Sequence, residues 1–569
     1  MPEARAVGLG GAAGHKTHPD GRIPITIGVA GHRDLPVGDI SLYRGRIESF
    51  LNGMARNHPG TPVRVLSALA EGADRLVAQV ALDLGLELSV VMPRAVDSYE
   101  QDFPDSVAEF RVLLARAAPG QVIVLSGSGQ SHASGPPSDE HYVRLGVFIA
   151  KHCNVLLALW DGEVNHRAGG TAEIVRFRLE GPPLAHSGAR HALDAPDRGP
   201  VYHVPCRRAS RPEQALRVPD EPRWILPRGQ TEAAFHACLL RIEEFNTDRR
   251  RRLLGQGGDR PPEGLALPSA SVSDVASEAL VASFVVADRL AQIHQRSADR
   301  VVLVGIVLVG IMAISEQAHL RGLVPYAMLG VHLAAFASVL LLYIWHRQLH
   351  SRERHLDFRA LAESLRVLIF WRLAGIEQHP IERFLRKQQD ELQWIREALR
   401  PAWPMPAVGA SSLELVRQGW IADQARYFSR SAHRYERRGR ILRGIALVFF
   451  ALGLAKSAAQ FFMWDAIEVR GLEHSVSLML PGFLTILGAL GTTYCELMAI
   501  GPQSQKFAVL AGVFARASQV YDRLGVELAP ERAHAERLRL IVDLGNDALD
   551  ESADWLLMRR ERPVVIAAS

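Results

Sequence analysis

Cysteine is scarce in this chain, and its placement excludes several chemistries at once. The four cysteines in 569 residues, Cys153, Cys206, Cys238 and Cys495, lie far apart with no Cys-x-x-Cys pair. A disulfide framework and a structural zinc site both need closer spacing, and free thiols suit a reducing cytosol. The His-Glu-x-x-His, Gly-x-Ser-x-Gly and Walker A patterns are also missing, which removes the commonest signatures of zinc hydrolases, serine hydrolases and P-loop nucleotidases. No metal and no cofactor is expected. Nor is there an excess of one charge: 65 Lys and Arg against 61 Asp and Glu leave a formal net charge of +4. A patterned basic face is absent, so no nucleic-acid partner is expected. Residues 1–21 are rich in Gly, Ala and His, lack the apolar core of a signal peptide and read as disordered.

The even charge balance hides a split, because apolar and charged residues sit in different places. Four runs are apolar enough for membrane spans: about 301–319, 323–345, 441–464 and 475–496. A helix needs about 20 apolar residues to cross the hydrocarbon layer. The second run has no charged residue; the third carries Lys456 and the fourth ends at Glu496. The connections within each pair carry one arginine each, Arg321 and Arg470, whereas the segment between the pairs is dense in arginine, including Arg434, Arg437, Arg438 and Arg440. The positive-inside rule then places both termini and the middle segment in the cytosol, in a multi-pass protein of the inner (plasma) membrane. The two pairs read as copies, each a cytosolic helix, a span, a short outer turn, a span and a cytosolic helix. Phe358-Arg-Ala-Leu-Ala362 after the second span matches Phe507-Ala-Val-Leu-Ala511 after the fourth.

The N-terminal 200 residues are patterned differently. Short, β-branched apolar runs at 23–30, 63–66, 88–92, 122–125, 155–160 and 201–204 alternate with helical patterns such as 73–84 and 141–151. Continuous apolar strands separated by helices indicate an α/β doubly wound parallel sheet, Rossmann-like, covered on both faces. Ligands of such sheets bind beyond the carboxyl ends of the strands, and glycine and polar residues collect there. The candidate ligand-binding residues are Gly31, His32 and Arg33 after the first strand, and Ser67, Glu71, Gly72 and Asp74 after the second. Asp161, Gly162, Gly169, Gly170 and Thr171 follow the fifth. Gly169, Gly170 and Thr171 let backbone N–H groups approach an anion at a helix start, while Arg33 and His32 add donors for a phosphate. Each turn taken alone also reads as an ordinary βα connection, with Glu71 and Glu173 as helix-start carboxylates.

Several of these residues carry a resemblance. Ser67-Ala-Leu-Ala-Glu-Gly-Ala-Asp-Arg75, Met92-Pro93 with Tyr99-Glu-Gln-Asp-Phe103, and Ala158-Leu-Trp-Asp-Gly162 with Gly169-Gly-Thr171 together resemble a SLOG domain. That is the Rossmann-like superfamily of cytokinin-activating phosphoribohydrolases and of nucleotide-sensing domains in bacterial conflict systems. The membrane part resembles the SLATT group of two-span effector modules, through Phe358-Arg-Ala-Leu-Ala-Glu-Ser-Leu-Arg366, Trp420-Ile-Ala-Asp-Gln424 with Tyr427-Phe428, and Trp555 with Arg559. The resemblance implies a nucleotide or nucleotide derivative as ligand, and a bacterial defence context. It also implies a self-associating membrane effector in contact with the lipid bilayer. The phosphoribohydrolases carry a longer Pro-Gly-Gly-x-Gly-Thr-x-x-Glu signature; here Arg167-Ala-Gly-Gly-Thr-Ala-Glu173 lacks the proline and shortens the spacing. That departure favours binding without turnover. Glu71 and Glu173 stay as the acid–base candidates of a rival reading, a membrane-tethered N-glycosidase. A membrane scaffold is the third.

The expected organisation is therefore a disordered 1–21, a ligand-binding α/β domain over 22–245 and a linker over 246–270. A two-span unit over 271–400, a proline-rich joint over 401–411 and a second two-span unit over 412–569 complete it.

Overall fold

The structure is a computed structural model of the whole chain. It describes residues 4–6, 20–118, 120–125, 139–164, 167–183, 196–211, 220–253, 275–321, 325–349, 351–376, 378–379, 381, 392–402, 412–462 and 472–560. Arg470 and most of the expected linker and joint lie outside them.

Eight strands form one sheet: β1 (Ala4–Ala6), β2 (Ile25–Gly31), β3 (Val63–Ser67), β4 (Glu87–Met92), β5 (Val122–Leu125), β6 (Val155–Trp160), β7 (Val201–Pro205) and β8 (Arg223–Ile225), in the order β1-β5-β4-β3-β2-β6-β7-β8. The inner six are the six apolar runs read from the sequence, and all pair in parallel. Their burial explains the pattern: Ile25, Ile27, Val65, Val90, Val155 and Leu157 are fully buried, so alternation is lost. The strand order runs outward from β2 in one direction and from β6 in the other. The crevice between β2 and β6 is the topological switch point of a doubly wound sheet.

Both edge strands are antiparallel. β1 corrects the reading of residues 1–21 as wholly disordered. Ala4-Arg-Ala6 pairs with Val124 and its neighbours through the main chain, a contact that requires no apolar pattern and leaves no sequence signal.

The helical region contains two units with the same element order. The first is Val275–Leu320, Pro325–Leu349, Ser351–Leu373 and the short Gln393–Leu399; the second is Leu413 through Phe462, Leu472–Leu497, Ile500–Glu527 and Pro530–Arg560. In each unit the long first helix packs along both the second and the third, so each hairpin returns to the end from which it started. Among the described residues, four helices are long and apolar enough to cross a membrane. Their apolar windows are only 6–17% buried inside the protein, and Leu333, Leu341, Leu447, Leu454 and Phe461 are each at least 58% exposed. Apolar surface on this scale needs a cover other than water, and a bilayer supplies it.

The first residues of the expected linker are not a linker. Helix Glu232–Leu253 runs through them, and it fastens the sheet to the helical region. Asn246 exchanges hydrogen bonds with the main chain of Ile23, and Glu243 accepts from the Gly60 N–H and the Thr61 hydroxyl. Buried Asp248 meets His294 at 3.1 Å and Arg354 at 3.2 Å, one from each of two helices of the first two-span unit. The arginine run Arg249-Arg-Arg-Arg252 suggested a loop by composition, but helix periodicity had placed Phe245, Asn246 and Asp248 on the packed side.

Candidate functional site

The strand ends at the switch point divide into a closed half and an open half. The closed half lies between β2, β6 and β7. His32 is buried, and its Nε2 accepts the Asp161 N–H at 3.1 Å, with the Asp161 carboxylate at 3.2 Å. The Asp161 carboxylate also accepts from the Glu163 N–H and from Arg208 Nε at 2.9 Å. Burial alone would raise the pKa of Asp161, but the adjacent His32 ring, the Glu163 amide and Arg208 outweigh it and hold the carboxyl well below the carboxylate range. Asp34 is taken up by the segment after β7, through the Ser210 hydroxyl and the Ala209 N–H. His32 and Asp161 thus brace the two strands against one another. Gly162 supplies the positive φ of 83° that turns the chain away after Asp161.

The open half lies over β2, β3 and β4. Arg33 is exposed, and its guanidinium sits 5.8 Å from the centre of the Tyr142 ring. Beneath it Asp74 is buried. The loop before Asp74 explains how: Leu69 has a left-handed φ of 56°, an uncommon conformation for a residue of this shape. The amides on both sides of it, those of Ala68 and Ala70, converge on the Asp74 carboxylate. Ser67 locks the turn, its Oγ donating to the Asp74 carbonyl at 3.2 Å and accepting from the Leu69 N–H at 3.1 Å. Burial pushes the Asp74 carboxyl up to about 7, against the opposing pull of Arg33 and the two amides. Asp74 therefore titrates near neutrality close to an exposed cation.

Glycines allow this approach. Gly72 has a φ of +75°, and a Cβ there would lie 2.3 Å from the Arg33 carbonyl oxygen. Gly169, at φ +69°, would place one 2.3 Å from Tyr142 Cβ. Gly31 approaches Ala73 as closely. Helix Thr171–Glu180 begins from Gly170, which is extended and gives no side-chain cap. The N–H groups of Thr171 and Ala172 have no acceptor among the described residues; this is the free amide pair that a helix start offers an anion.

Four contributors were not singled out as site residues from the sequence. Tyr99 is fully buried, and its hydroxyl has no hydrogen-bond partner among the described residues. Arg94 and Asp102 pair at 2.5 Å with side chains 5% and 8% exposed, and Tyr142 donates to Asp102. The Arg94 Nε is left without a partner. The signal for two of them was present in the Tyr99-Glu-Gln-Asp-Phe103 segment; Arg94 and Tyr142 stand in no such motif.

The two carboxylates proposed for acid–base work are both engaged elsewhere. Glu71 accepts from the Ser106 hydroxyl. Glu173 accepts from the Gly169 N–H at 2.7 Å and from Arg176 at 3.1 Å, which ties down the glycine turn from behind. The structure thus brings together Arg33, Ser67, Gly72, Asp74, Gly169, Gly170 and Thr171 with Tyr142, while His32, Asp161 and Gly162 form the neighbouring brace. Among the described residues no group of His, Cys, Asp and Glu could hold a metal ion.

No protein-family model matches the chain, and no curated protein matches it. Among solved structures it is similar to the X-ray structure of DNA processing protein A from Streptococcus pneumoniae, at 18% identity and a TM-score of 0.19, over 26% of this chain and 44% of that one. The chain thus spans less than half of that protein. An overlap so small leaves the Rossmann-like assignment to rest on the strand order itself.

Proposed function

We propose that this protein is a membrane-bound sensor–effector whose α/β domain binds a nucleotide or nucleotide derivative on the cytosolic side and biases the state of a self-associating four-span module. The observation that carries the reading is the open half of the switch point. It presents one exposed guanidinium and two helix-start amides without an acceptor among the described residues, over a buried carboxyl that burial pushes up to about 7. Those donors suit a phosphate, and the Tyr142 ring beside Arg33 suits the flat face of a base.

A route to the membrane is built into the same two strands. Asn154, immediately before β6, accepts the Thr26 N–H of β2 and donates to the carbonyl and carboxylate of Glu397 at 2.8 and 3.0 Å. Glu397 lies on helix Gln393–Leu399, which belongs to the first two-span unit. Arg400 joins Glu397 and Asp197 at 2.9 and 2.8 Å, and Arg396 also donates to Asp197. β2 has seven residues, so ligand site and ion cluster stand about 20 Å apart along one strand. A ligand shifts the membrane module only if it binds its two states with different affinity, and a stiff strand anchored at both ends is a physical means of making it do so.

Both glutamates of the rival acid–base reading are held by structural partners, which favours binding over N-glycosidic cleavage. Arginine density between the span pairs supports cytosolic termini in the plasma membrane, and lipid is the partner of the exposed span surfaces. Titrating the full solubilised chain with AMP, GMP and ADP-ribose, while assaying free base by chromatography, tests the reading. Saturable binding without product is expected. Base release would establish the enzyme instead, and no binding by any probe would leave the scaffold.

A further inference from the structure

A second polar cavity, of about 290 Å³, lies away from the sheet, among the helices next to the spans. Its walls come from both two-span units: Arg359 from Ser351–Leu373, Tyr427, Arg434 and Arg438 from Asp423–Phe462, and Lys506 from Ile500–Glu527. No carboxylate lines it. Lys506 has Glu551 at 2.9 Å and Arg438 donates to the Tyr494 hydroxyl at 2.7 Å. Arg359 and Arg434 make no salt bridge among the described residues. Converging cations are costly away from bulk water unless an anion neutralises them; burial opposes the Arg359 charge, and nearby Tyr427, Glu363 and Asp288 override it and raise its proton affinity without making a salt bridge to it.

The cavity shares Arg434 and Arg438 with an adjoining depression of about 480 Å³, whose remaining wall includes Ile441 and Leu442 at the start of the third span. Guanidinium groups therefore stand directly above the first apolar residues of a membrane helix. That sequence, cationic and then apolar, matches a phosphate carried at the bilayer surface.

We propose that this cavity is a phosphate-anion site that joins the two span pairs, filled by the headgroup of an anionic phospholipid or by a soluble phosphate. It is separate from the sheet's ligand site and does not depend on the sensor reading. Occupancy ties Arg359 of the first unit to Arg434 and Arg438 of the second, so the anion acts as a clamp between units otherwise held by helix packing.

The test uses the full chain in a neutral maltoside detergent. Its thermal unfolding is followed during titration with dioctanoyl phosphatidylglycerol, dioctanoyl phosphatidylcholine and inorganic phosphate at matched ionic strength. Phosphatidylglycerol is expected to stabilise where phosphatidylcholine does not. Its half-saturating concentration should rise at least about tenfold in Arg359→Gln and in Arg434→Gln, the scale of one charge-assisted hydrogen bond. Arg434 is exposed, so that variant is informative if Arg359→Gln misfolds. Arg440→Gln, whose side chain is 74% exposed and paired with Glu436, should bind as the parent does. Stabilisation by phosphatidylglycerol alone identifies a headgroup, and equal stabilisation by inorganic phosphate identifies a soluble anion. Absence of stabilisation by both, or an equal loss in Arg440→Gln, overturns the site.

Discussion

The two ends of the central sheet are built on opposite electrostatic plans. At the amino ends of β2 and β6, Asp197, Glu397, Arg396, Arg400 and Asn154 are buried and paired with one another, with Arg396 Nε the member left without a partner among the described residues. At the carboxyl ends, Arg33 is exposed, the Tyr99 hydroxyl is unpartnered among the described residues and the Asp74 carboxyl is pushed up to about 7 by burial. One end buries its charges in mutual ion pairs, and the other leaves a guanidinium exposed beside a carboxyl that burial keeps protonated up to about 7. The difference separates an anchor from the end where the proposed ligand would bind, the receptor end of the proposal, and it can be broken from either side.

The largest effect is expected at the anchor. Asp197→Ala would leave Arg396 and Arg400 buried without their shared carboxylate, at a cost of about 3–5 kcal/mol. Thermal unfolding of the solubilised chain measures it. Burial opposes ionisation of Asp197, but Arg400 and Arg396 override it and hold the carboxyl well below its usual range. A depressed folded value means this stabilisation is present above the unfolded value near 4 and is lost only as the pH falls through the folded one. Asp197 should therefore add no pH dependence between 5 and 8, whereas His152 and His379 beside it, whose proton affinities burial lowers, should cost stability as the pH falls below about 6.5.

The receptor end should behave in the opposite sense. The Asp74 carboxyl is raised, so the folded chain holds its proton where the unfolded chain has lost it, and stability falls as pH rises from about 4 to 7. The ceiling is roughly 4 kcal/mol at about 1.36 kcal/mol per pKa unit. Asp74→Asn should abolish that slope and raise stability at pH 8, read from unfolding midpoints across pH. An unchanged slope would mean that water reaches the carboxylate.

Smaller, and confined to binding, is the effect of Arg33→Ala. Its loss should weaken a phosphate-bearing ligand by about 1.5–3 kcal/mol and change unfolding by no more than about 0.5 kcal/mol, because the side chain is exposed. Calorimetric titration against unfolding separates the two. A stability loss equal to the binding loss would make Arg33 part of the scaffold. The orientation of the whole comparison rests on topology. Cysteines placed at Arg321 and at exposed Ser429 should label from outside and from inside, respectively; the four native cysteines are buried and leave the readout clean.

The receptor end was more legible in the sequence than the anchor, for a physical reason. Glycine and polar residues at strand ends, such as Gly72, Gly169 and Arg33, are local signals, and the parallel strands announced themselves by continuous apolar runs. Four apolar runs likewise marked the span helices. The anchor joins Asn154 to Glu397 across 243 positions, and a pairing at that distance leaves no periodicity to read. Helix Glu232–Leu253 was mistaken for a linker start because arginine-rich composition obscured its packed face. His32 and Asp161 were placed at the right strand ends, but their mutual hydrogen bond, which makes them a brace, depends on two strands 129 positions apart. Tyr142 was missed because its role comes from contact with Gly169 and Arg33, not from its neighbours in sequence.

The central claim is that a ligand at the carboxyl ends of β2 and β6 is felt at their amino ends, in helix Gln393–Leu399 and the spans beyond it. Hydrogen–deuterium exchange of the full chain in vesicles, with and without a saturating nucleotide identified by titration, tests this most directly. The account predicts changed protection both in the 167–175 turn and in the 393–400 helix, with the second change lost in Asn154→Ala while ligand still binds. Protection confined to the turn, with the 393–400 helix and the spans exchanging as before at full occupancy, would contradict it.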